Sequence, residues 1–140
     1  MRILLLLILV ISGQATADER TRGFQDPLPY ADYVVDPAVP IKQGMDRYGW
    51  IVDQQGENFL VAKLDNYKER EVVIRFEYGQ GAIAMLAVSD QRLGCTRRNC
   101  AVEDGHYIRW TNNLRRGIAL AIHEMAIADA KKKLGIEVPD

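Results

Sequence analysis

The sequence predicts an α+β fold: a four-stranded antiparallel sheet covered by a long C-terminal helix, with a short helix before the sheet (α-β-β-β-β-α). Three observations carry that expectation. Arg70 to Tyr78 alternates apolar and charged residues with a period of two. From Tyr107 to Met125 apolar residues recur at the spacing of a helix face. On either side of the first region lie short, consecutive strand-like runs joined by turns.

The first seventeen residues read as an export signal. Arg2 supplies a positive start, Ile3 to Ile11 are all apolar, and Ala15-Thr16-Ala17 is a small-x-small cleavage pattern. As a helix the apolar run spans about 14 Å, too short for roughly 30 Å of bilayer hydrocarbon. The expectation is therefore a signal peptide over 1–17, cleaved after about Ala17, and a periplasmic chain with no stable membrane anchor.

Residues 18–40 contain Pro27, Pro29, Pro37 and Pro40, which disfavour a regular helix and predict an extended lead-in, with Tyr30, Tyr33 and Val34 available to dock on the body. The single α+β domain is expected over 41–140. A short helix starts at Asp36 or at Pro40, places Ile41, Met45 and Tyr48 on one face, and ends at Gly49.

Trp50 to Asp53 and Phe59 to Leu64 are the first two strands, joined by a polar, Gly-containing loop. The third, Arg70 to Tyr78, puts Val72, Ile74, Phe76 and Tyr78 on its buried side. Gly79-Gln80-Gly81 reverses the chain into the fourth, Ala82 to Val88. Asp104 is placed to cap the long helix, which runs to about Leu134. Tyr107, Trp110, Thr111, Leu114, Ile118, Ala121, Ile122 and Met125 form its apolar stripe, and Lys131 to Lys133 suit its C-terminal end. On this reading Trp50 and Trp110 are core anchors.

Charge and cysteines narrow the chemistry. Without the signal segment, 17 basic and 19 acidic residues remain, a net charge of −2 that argues against nucleic acid as a partner. In an oxidising compartment Cys95 and Cys100 are expected to form a disulfide. The bridge would hold Arg97 and Arg98 at an exposed tip with Arg92 nearby, a candidate contact for an envelope protein or a small anionic ligand.

The catalytic and metal patterns fail on spacing. His123-Glu124 lacks the second histidine of a zinc-protease helix, since position 127 is Ile127. Cys95, Cys100, His106 and His123 are zinc-ligand types, but His106 and His123 would stand about 25 Å apart on one continuous helix, too far to share an ion, and the thiols that remain beside His106 are expected to be oxidised to a disulfide. His106 with Glu103 or Asp104 could form a general-base pair, but no nucleophile motif accompanies it. No catalytic residue, metal site or cofactor is therefore expected.

From Tyr48 to Ile122 the chain resembles a loose family of small, largely uncharacterised proteobacterial envelope proteins, some of them lipoproteins. The likeness rests on Tyr48-Gly49-Trp50-x-Val52, Leu60-x-Ala62-x-Leu64, Val72-x-Ile74 and Tyr107-x-x-Trp110-x-x-x-Leu114. It implies an envelope location and an α+β body, and brings no catalytic residue. The chain differs from the lipoprotein members in having no cysteine directly after its apolar segment. Together these readings predict a non-enzymatic binding or interaction module of the periplasm. The alternative is an exported inhibitor or immunity protein acting on a toxin or envelope hydrolase.

Overall fold

The computed structural model describes residues 19–136, so the expected signal segment over 1–17 and its cleavage point lie outside the described residues. The architecture is α+β, with an antiparallel sheet, a short helix before its long strands and a long C-terminal helix. The sheet has five strands, not the expected four. They are β1 (Leu28–Pro29), β2 (Ile51–Gln55), β3 (Phe59–Tyr67), β4 (Arg70–Gly79) and β5 (Ala82–Arg92), in the order β1-β5-β4-β3-β2. The α-helices are α1 (Ala38–Asp46) and α2 (Asp104–Lys133), and a short 3-10 turn spans Arg22–Phe24.

The extra strand lies within the expected lead-in. Leu28 pairs with Ile83 and Pro29 with Ala82 at the edge of the sheet, where a residue without an N–H leaves no ladder bond broken. Tyr30 continues the contact by donating its N–H to the Gly81 carbonyl at 2.9 Å. Phe24, Leu28 and Val34 join the core, and Tyr30 and Tyr33 pack against it, so the stretch is part of the body.

Helix α1 begins where the Asp36 carboxylate accepts the Ala38 N–H at 2.9 Å. It ends before Gly49, which takes the left-handed conformation at φ +74° and lets the Trp50 N–H return to the Met45 carbonyl at 3.1 Å. Ile41 and Met45 are buried as expected. Tyr48 is 39% exposed, because the helix stops at Asp46 and the turn carries Tyr48 off the buried face.

The alternation in β4 sets the sheet. Val72, Ile74, Phe76 and Tyr78 are buried with Leu60, Ala62 and Leu64 of β3 and with Ile83 and Met85 of β5. Across this face lies α2, burying the expected stripe from Tyr107 to Ile122, with Met125 partly buried beside it. Glu103 rather than Asp104 is the N-cap residue; its carbonyl accepts the His106 and Tyr107 N–H groups while its carboxylate reaches Arg70.

The helices meet at Gly44 and Gly117. A Cβ on Gly44 would stand 2.6 Å from the Ile118 backbone nitrogen, and one on Gly117 would stand 3.1 Å from the Gly44 carbonyl oxygen. This backbone-to-backbone approach needs both glycines, and it brings Tyr48 onto α2, 3.0 Å from where a Gly117 Cβ would be.

Candidate functional site

Three chain segments converge on a cleft of about 220 Å³ beside the N-terminal half of α2. Trp50, Leu64 and Trp110 form its floor, and Tyr48 and Tyr67 its walls. Lys68, Arg109 and Asn113 complete the lining. The two indoles are core anchors, as expected, at 3% and 7% exposure. Tyr67, at 43% exposure, meets the Trp110 ring nearly perpendicularly at 5.2 Å between centroids.

The Tyr67 wall depends on an unusual turn. Tyr67 pairs with Arg70, leaving Lys68 and Glu69 as the two central residues of a tight hairpin, at φ +51° and +60°. Such a turn favours Asn-Gly, and each side chain held in the left-handed region costs roughly 1–2 kcal/mol. Several contacts fix it in place. The Arg70 guanidinium donates to the Lys68 carbonyl at 2.6 Å and to both Glu103 carboxylate oxygens at 2.7 and 2.8 Å. The Leu93 N–H donates to the Glu69 carbonyl at 2.8 Å. The Arg70 hydrogen bonds hold the Glu103 carboxyl down at about 2, well below its ordinary range.

The cleft is positive and has unused hydrogen-bonding capacity. None of its lining residues is acidic. Among the described residues, no protein group hydrogen-bonds the Tyr48 or Tyr67 hydroxyl, the Lys68 ammonium or the Asn113 amide. The Lys68 ammonium lies 5.4 Å from the Tyr67 ring centroid. Arg47, Lys63, Arg70, Arg75 and Lys133 each pair with a carboxylate, whereas Lys68 and Arg109, like Arg97 and Arg98 on the disulfide loop, pair with none among the described residues.

His106 stacks on Trp110 at 5.1 Å, and its Nδ1 lies 2.9 Å from Arg109 Nη2. A guanidinium can only donate, so Nδ1 accepts in this contact. The carboxylates proposed to orient His106 are engaged elsewhere: Glu103 pairs with Arg70, and Asp104 with Arg20 at 3.0 Å. The structure therefore does not assemble the His106 general-base pair considered from sequence. His123 is exposed near the middle of α2, apart from the cleft.

Cys95 and Cys100 are disulfide-bonded, with Cα atoms 5.7 Å apart. Arg92 and Arg97 line a polar groove of about 310 Å³ beside the bridge, while Arg98 is exposed outside that lining. Arg92 braces the loop, donating from Nη2 to the Asn99 carbonyl and from its backbone N–H to the Cys100 carbonyl, both at 2.7 Å. Thus only part of the expected arginine cluster shares a concave surface.

A broader depression of about 630 Å³ lies on the uncovered sheet face. Its one cation, Arg75, stacks over Phe59 at 4.0 Å and pairs with Glu77 at 2.9 Å. Sequence reading singled out none of Tyr67, Lys68, Arg109 and Asn113 as site residues and placed Tyr48 on the buried face of the first helix. The available signal was Arg109 and Asn113, one helical turn apart and flanking an indole, but their common surface requires the β3–β4 turn. No protein-family model, curated protein or solved structure matches this chain. Among the described residues no helix is long and apolar enough to cross a membrane.

Proposed function

We propose that this is a periplasmic, non-enzymatic binding module of the cell envelope whose ligand sits in the cleft between Tyr48 and Tyr67. The observation that carries the reading is a pair of cations without carboxylate partners flanking half-exposed aromatic walls, with one wall held on a strained but clamped turn. Backbone strain that the surroundings enforce tends to collect at ligand sites. The N-terminal pattern and the Cys95–Cys100 bridge support an exported, oxidised chain.

The test is a titration of the labelled mature protein with a low-molecular-weight envelope extract, followed residue by residue by NMR. Saturable shifts are expected at Tyr48, Tyr67, Lys68, Arg109 and Asn113, and should be lost in a Lys68→Glu/Arg109→Glu variant that retains the fold. Shifts elsewhere, or none at these residues, overturn the reading. The second reading, an exported inhibitor or immunity protein, is favoured by Arg97 and Arg98, which are exposed on the stapled loop. It predicts stoichiometric capture of one toxin or hydrolase, lost in Arg97→Ala/Arg98→Ala.

A further inference from the structure

We infer that the cleft takes a single ring of an acidic sugar, its carboxylate or phosphate held by Lys68 and Arg109 and its ring placed between Tyr48 and Tyr67. The assignment rests on the cleft being the binding site proposed above. Size sets the first limit. About 220 Å³ is below the roughly 300–1,000 Å³ typical of sites for drug-sized ligands, so one ring fits better than a peptide segment or fused ring system.

Charge sets the second. An ammonium and a guanidinium with no acid in the lining favour a negative ligand, and the Arg109 guanidinium, which spends one Nη2 contact on His106, keeps further N–H donors for the oxygens of a carboxylate or phosphate. The lining chemistry then favours a sugar over an aromatic acid. The buried indoles are held by the core and by the His106 stack, so the more exposed aromatic surface belongs to the two tyrosines. Each tyrosine combines an apolar ring with a hydroxyl, and Asn113 adds both amide donors and an acceptor. An aromatic acid would leave these polar groups unmatched, whereas ring hydroxyls can satisfy them while the sugar C–H face packs on the phenols.

The two floor indoles provide an internal fluorescence signal, and NMR locates the response. The mature protein is titrated with glucuronate, glucose 6-phosphate, glucose and benzoate. Saturable shifts at Tyr48, Tyr67 and Arg109 are expected with glucuronate or glucose 6-phosphate, and the tighter of the two identifies the anionic group. Glucose should bind at least about tenfold more weakly, and Arg109→Gln should weaken the charged sugar by about tenfold with the fold retained. Glucose binding as tightly as the charged sugars, or no effect of Arg109→Gln, overturns the assignment. Benzoate shifting the cleft resonances when neither acidic sugar does also overturns the sugar, but leaves the cleft as the binding site. Envelope extract shifting only residues near Cys95 and Cys100, with all four probes silent, removes both the sugar and the cleft.

Discussion

The aromatic cleft and the disulfide loop lie on neighbouring segments and both display basic side chains, but they use them differently. Lys68 and Arg109 line a concavity whose floor is part of the core. Arg97 and Arg98 stand exposed on a loop whose order comes from a covalent bridge and backbone-directed contacts from Arg92. Clustered charge alone therefore distinguishes the regions poorly, and so does concavity, since Arg97 lines the groove beside the bridge; an aromatic lining without an acid distinguishes the cleft from that groove, which includes Glu69.

The largest expected effect breaks the cleft from beneath. Trp110 supports Tyr67, stacks with His106 and lies in the core, so Trp110→Ala should destabilise the protein by about 3–5 kcal/mol. Arg97→Ala and Arg98→Ala should each stay within about 0.5 kcal/mol, the range for surface changes without special partners. Denaturant unfolding of the three variants measures the contrast. A loss below about 1 kcal/mol for Trp110→Ala would make the indole a surface platform.

The loop has its own stabilising element. On the chain-entropy model, closing a loop as short as Cys95–Cys100 restricts the unfolded chain by about 2 kcal/mol. Cys95→Ser/Cys100→Ser should therefore lower unfolding stability by about that amount. Amide exchange should also rise at Leu93, whose N–H links this region to the Glu69 carbonyl of the strained turn. An effect that stops within residues 95–100 would show that the two regions are mechanically independent.

A gain in stability should follow from relieving the cleft's turn. Lys68→Asn/Glu69→Gly supplies residues suited to both left-handed positions and is expected to stabilise the fold by about 1 kcal/mol. The same change removes a proposed anion contact, so stability and charged-ligand affinity should move in opposite directions. Isothermal titration alongside denaturant unfolding checks both. Unchanged stability would show that Lys68 and Glu69 carry no recoverable strain.

Much of the scaffold was legible because its patterns are local. Alternation from Val72 to Tyr78 identifies the buried face of β4, and the Tyr107-to-Ile122 stripe orients α2. The two residues of β1 are too few to show a period, and Pro29 argues against a strand except at an edge. The cleft was less legible because it joins three distant segments. Tyr48 looked like a helix-face residue, and Lys68-Glu69 has none of the Gly or Asn expected of its turn. Gly117, a weak point by helix propensity, serves instead as the crossing partner of Gly44.

The smallest expected effect probes the clamp on the cleft's turn through pH. Arg70 hydrogen bonds lower the Glu103 carboxyl to about 2, and the same guanidinium grips the Lys68 carbonyl. Because the folded-state value is depressed, the stabilisation is fully present above the ordinary carboxylate range and is lost as pH falls through about 2. Both partners are near the surface, so salt should weaken it. In the wild type, Glu103 carboxyl resonances should titrate near 2, with Tyr67 and Lys68 amide shifts following the same transition. Arg70→Gln should move Glu103 up toward the ordinary carboxylate range and uncouple those amides from its protonation. A wild-type Glu103 that titrates normally would remove the clamp as a cause of cleft rigidity and leave packing against Trp110 to hold the Tyr67 wall.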